Sequence, residues 1–125
     1  MAIRVWRGTF SGEEGNWNEG HNWDDETGAD AGVVPVATDD VYFVSGSQDV
    51  TTMGGASAVN LASINVGTKY TGSTTATIVT NATVLDYANR QGAMVFQGTY
   101  TTVNVQATSV DSPALKLDNC GITTL

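Results

Sequence analysis

The carboxylates of Asp24, Asp25 and Glu26, and those of Asp39 and Asp40, are the groups whose spacing comes nearest to acid–base chemistry. Glycoside hydrolysis needs two carboxyl groups facing each other across one bond. Both clusters lie in turn-rich sequence, and nothing in the pattern aims two of them at one cleft, so solvated loops and turns leading into strands account for them. His21 is the only histidine and Cys120 the only cysteine, so neither a zinc site nor a Ser-His-Asp triad assembles readily, and no Gly-x-Ser-x-Gly elbow is present. The ligand spacing of an EF-hand and the Gly-Gly-x-Gly-x-Asp calcium repeat are also missing. The expectation is a non-enzymatic chain with no catalytic residue, no metal and no cofactor. Trp6, Trp17 and Trp23 have two readings: a packed cap over the first strands, or a platform on which sugar rings stack.

Charge narrows the partners. Net charge is −8, and ten of the thirteen acidic residues lie at or before Asp49 against two arginines, Arg4 and Arg7, so the remainder is balanced. A chain without a basic stripe cannot release counterions from a phosphate backbone, which argues against nucleic acid and against anionic membranes. The acidic region either keeps the molecule soluble or meets a basic protein surface. Cys120 sits in an apolar–polar alternation, where a thiol serves as a small hydrophobe. The first residues, Met1 to Trp6, do not read as a secretory signal, and no apolar run reaches membrane-spanning length.

The elements that must position these residues are strands. Thr, Val, Gly, Ser and Asn dominate, and β-branched residues fit a pleated surface better than a helix. Residues 1–40 read as a Trp-rich, acidic, wrapped cap or docking region outside any sheet, with Gly8, Gly12, Gly15 and Gly20 supplying tight turns between indoles. Residues 41–125 read as a repetitive body. Apolar-alternating runs span 41–44, 59–66, 76–79, 83–87, 94–97, 102–106, 115–117 and 122–125. Turn residues separate them at Ser45-Gly46-Ser47, Gly54-Gly55, Gly67, Thr71-Gly72-Ser73, Asn81, Asn89, Gly92, Gly98, Asp111-Ser112-Pro113 and Asn119 to Gly121.

Ile64, Val84, Val103 and Ile122 stand twenty, nineteen and nineteen residues apart, which aligns them in comparable strands. Such a beat suits stacked coils that bury their inward faces against one another. The predicted fold is therefore all-β, a right-handed parallel β-helix or solenoid with a Trp-rich N-terminal cap; a β-sandwich or jelly roll is the alternative. Leu125 ends the sequence inside a strand-like run, so either further chain or another subunit is expected to cover the last coil.

The order Trp6, Gly15-Asn16-Trp17, Asn22-Trp23, Val34-Pro35, Asp39-Asp40-Val41-Tyr42-Phe43, then Leu61-Ala62-Ser63-Ile64-Asn65-Val66, resembles the opening of tailed-bacteriophage virion proteins with β-helical bodies. It is also similar to the leading region of autotransporter-like β-strand repeats on bacterial surfaces. The resemblance covers about the first seventy residues and continues only as a rung rhythm. It implies a virion structural component assembled in the host cytoplasm, of head decoration or cement type, in symmetric copies such as a homotrimer. Its partner would be the major capsid protein or another virion protein. The docking region would hold Trp6, Trp17, Trp23, Asp24, Asp25 and Glu26. A host-attachment or carbohydrate-binding module of a tail fibre, spike or adhesin is the alternative.

Overall fold

Runs in which β-branched and aromatic residues alternate with polar ones have one face to bury and one to leave in water, and here they fold as strands. The computed structural model describes residues 2–44, 47–53, 60–67, 77–88, 94–105, 115–117 and 120–124. These form β1 (Ile3–Trp6), β2 (Trp23–Asp24), β3 (Asp40–Phe43), β4 (Asn60–Val66), β5 (Ile78–Val79), β6 (Asn81–Tyr87), β7 (Met94–Gln97), β8 (Thr99–Val105), β9 (Leu115–Leu117) and β10 (Gly121–Thr124). One 3-10 turn lies at Gly20–Asn22. The protein is all-β, and each run expected from Val41 onward overlaps one strand.

Two sheets result. The larger has the order β10-β8-β6-β4-β3-β1-β2, and the smaller β5-β7-β9. The larger is mixed: β1 and β2 pair antiparallel, and every other pairing in both sheets is parallel. From β4 to β10 successive strands alternate between the sheets. Thr80 alone joins β5 to β6, and Gly98 alone joins β7 to β8.

Register puts equivalent side chains in columns across the larger sheet. Val41, Ile64, Leu85 and Val103 are successive partners, as are Trp6, Phe43, Val66 and Tyr87, and all eight are buried. Leu61, Ala82 and Tyr100 form a third buried column. Ile78, Met94 and Phe96 of the smaller sheet pack into the same core, as do Trp17, Trp23 and Val50. Phe96 stands edge-on to both Tyr87 and Tyr100 at 6.4 Å. Within β4 and β6 the buried positions step by three and then two residues, so the pleat breaks once, at the same level of both strands.

Three expectations need correction. Residues 1–40 are not wholly outside the sheet, because Ile3–Trp6 enters it parallel to β3, and Trp23–Asp24 closes that edge antiparallel. Ile3, Val5 and Trp6 make a short β-prone run without a clean alternation, and the turn-forming glycines that follow from Gly8 mask the signal. The alignment of Val84 with Ile64 is one residue out: Ile64 pairs with Leu85, and Val84 lies level with Ser63 and Thr102. Ile122 pairs with Tyr100 rather than with Val103. A one-residue slip in a strand exchanges its faces, and connector length absorbs the difference. Finally, Asn81 and Gly121 begin strands instead of turns. The turns expected at Ser45-Gly46, Gly54-Gly55, Thr71-Gly72-Ser73, Asn89, Gly92, Asp111-Ser112-Pro113 and Asn119, and the terminal Leu125, lie outside the described residues.

Candidate functional site

The Trp-rich region is organised around one buried amide. Asn22 is fully buried; its Nδ2 donates to the carbonyls of Glu13 (2.7 Å) and Asn16 (2.9 Å), and its Oδ1 accepts from the Phe10 amide (2.7 Å). These bonds close the loop between β1 and the 3-10 turn and bring three indoles together. Trp23 lies edge-on to Trp17 at 4.6 Å and to Trp6 at 5.0 Å, with Phe43 within 6.5 Å of all three. Trp6 Nε1 donates to the Gln48 carbonyl (2.8 Å) and Trp23 Nε1 to that of Trp17 (2.9 Å). Trp6 and Trp23 have no exposed surface and Trp17 keeps 4%, so these faces are core and do not offer sugars a platform.

The acidic residues of this region divide by partner. Asp24 pairs with Arg7 Nε at 2.8 Å. Asp25 Oδ1 accepts from the Thr27 amide, the Thr27 hydroxyl and the Ala29 amide, and those bonds, the hydroxyl's first, hold its carboxyl below the usual aspartate range. Glu26 is exposed. Asp39, read as part of a turn, is buried and joins β1 to β3 by accepting from the Ala2 and Val36 amides. Asp40 accepts the Ser63 hydroxyl at 2.6 Å.

His21 is exposed, stacks obliquely on Phe10 at 4.9 Å and meets Asp30 through Nδ1 at 2.8 Å. The hydrogen bond and charge of Asp30 raise the imidazole pKa above 6.5, and His21 in turn lowers that of Asp30 below 3.8. The histidine's contribution to stability is present below pH 6.5 and is lost as pH rises through its folded pKa. The aspartate's is present above pH 3.8 and is lost as pH falls through its own. In a proton-detected imidazole titration, His21 is expected to titrate above 6.5 and to move back toward it in Asp30→Asn. A wild-type midpoint at or below 6.5 would show that the contact does not form in solution.

A second constellation lies on the outward side of the larger sheet. Tyr42, Asn65, Asp86 and Asn104 are successive register partners on β3, β4, β6 and β8. They line a groove of about 420 Å³ at the C-terminal ends of these strands. Asn65 Nδ2 donates to the Val41 carbonyl (3.2 Å) and Ser63 Oγ (2.8 Å), and Asn104 Nδ2 donates to Asp86 Oδ1 (2.7 Å). Those bonds fix the amides and leave Asn65 Oδ1, Asn104 Oδ1 and the second oxygen of Asp86 without a hydrogen bond among the described residues. No family model, curated protein or solved structure matches the chain, so the groove is read from its own chemistry. Sequence reasoning passed over it, although the signal was present in the triplets Ile64-Asn65-Val66, Leu85-Asp86-Tyr87 and Val103-Asn104-Val105.

Proposed function

We propose that this chain is a non-enzymatic structural module of a tailed-phage virion: a head decoration or cement protein that binds the major capsid protein as a homotrimer. Its body is read as a right-handed β-solenoid. Strands from β4 to β10 that alternate between two sheets with parallel pairings support coil stacking over the antiparallel Greek keys of a sandwich, and parallel crossovers are right-handed in nearly all proteins.

The observation that carries the reading is the difference between the two ends of the sheets. At one end the antiparallel β2 and the indole cluster close the stack. At the other end of the larger sheet β10 pairs on one side only among the described residues, whereas the outer side of β2 carries the Asp24–Asp30 bridge. Unpaired strand edges recruit further β structure, which favours a part of an assembly over a free-standing module. The exposed acids of the closed end, Glu26 among them, suit a basic patch on a capsid surface.

Purified protein is expected to sediment with undecorated heads, to ignore host cells, and to run at three times the chain mass in sedimentation equilibrium. Binding to cells with none to heads would overturn the decoration reading and favour host attachment.

A further inference from the structure

From the outward groove we infer a binding site for a neutral, extended oligosaccharide that lies across the strands along Tyr42, Asn65, Asp86 and Asn104. Tyr42 is 36% exposed at one end of the column and offers an aromatic face to the apolar face of a sugar ring. Beyond it, the open acceptors of Asn65, Asp86 and Asn104 recur at the spacing of neighbouring strands, about 4.8 Å. A straight row of fixed acceptors suits a ligand whose hydroxyl donors recur along a straight chain. The groove's volume of about 420 Å³ falls within the range of small-ligand sites.

Competing ligands fit less well. The Asp86 carboxylate, set among neutral lining residues, disfavours anionic chains. A peptide added as a strand needs an open backbone edge, whereas β4 and β6 are paired on both sides. Calcium takes six to eight oxygens, and among the described residues Asp86 is the one carboxylate in the lining. The shallower groove at the opposite ends of these strands serves as an internal contrast. There Asn81 Nδ2 donates to Asn60 Oδ1 and Asn81 Oδ1 accepts the Thr99 amide, and among the described residues the lining has no aromatic ring.

This inference does not depend on head decoration, since a decoration protein and an attachment module could each carry such a groove. Isothermal titration of the full chain with cellohexaose, xylohexaose and mannohexaose, in chelator-containing buffer, tests it. Saturable binding of at least one is expected, weakened tenfold or more by Tyr42→Thr and by Asp86→Asn. Thr101→Ala, in the opposite groove, leaves affinity unchanged. Both groove variants alter outward side chains, and a thermal midpoint near wild type confirms that they fold. If either unfolds, the other carries the comparison, and ligand-induced shifts of the Tyr42 ring resonances give a readout on wild type alone. Failure of all three sugars to bind, or binding indifferent to both groove substitutions, overturns the inference and leaves the head-binding experiment to be judged separately.

Discussion

Trp23→Ala is expected to cost about 5 kcal/mol, a large share of the roughly 5–15 kcal/mol that holds a domain folded. The indole is fully buried and sits 4.6 Å from Trp17 and 5.0 Å from Trp6. Its removal opens a cavity that three rigid neighbours cannot fill, because Trp6 is tied to Gln48 and Phe43 is held in β3. It also strips the Trp17 carbonyl of its donor. Trp23→Phe keeps most of the apolar surface and loses only that bond and some packing, so about 1–2 kcal/mol is expected. Urea unfolding followed by circular dichroism measures both. The wild-type indole emission should be blue-shifted and poorly quenched by acrylamide. A loss below about 1.5 kcal/mol for the alanine variant would mean that the cluster is not closed in solution.

Gly98→Ala should be comparably severe for a backbone reason. Gly98 is the whole connection between β7 and β8, and its φ of +142° is a conformation that side chains rarely adopt. A Cβ there would overlap the carbonyl oxygen of Thr80, the equivalent connector one level away. That contact cannot relax cheaply, because the Thr80 amide donates to the Gln97 carbonyl (3.0 Å) and the Gly98 carbonyl accepts from Gly121 (3.0 Å). Strain and overpacking together are expected to cost about 4 kcal/mol or more, lowering the melting temperature by about 15 °C. Gly12→Ala is the control. Its φ of +88° is also left-handed, but the added Cβ meets nothing, so only about 1–2 kcal/mol is expected. Equal losses at the two positions would show that crowding between connectors is not what makes Gly98 special.

The two substitutions mark where sequence reading succeeds and where it stops. Trp6, Trp17 and Trp23 among glycines and asparagines were legible as either a packed cap or a sugar platform, and their burial decides for the packed cluster. The same glycines hid β1, whose four residues are too short to stand out beside so many turn formers. Gly98 could be read as a turn, but its crowding follows from Thr80, eighteen positions earlier, lying on the next level. The groove was lost to a single-residue error: aligning Val84 with Ile64 sends Asp86 inward and dissolves the column that joins Asn65 to Asn104.

Composition and alternation by themselves determined that this chain is all-β, where its strands from Val41 onward lie, and that its acids gather before Asp49, because each of these is a local property of residue types. Only the tertiary structure decided which strands are neighbours, in what register, and on which side each polar residue stands. From Val41 to Ile64 to Leu85 to Val103 the step is 23, 21 and then 18 residues. Connectors of unequal length let the chain absorb any such difference, so register is selected by which apolar side chains share one interior, a non-local choice that no fixed period encodes.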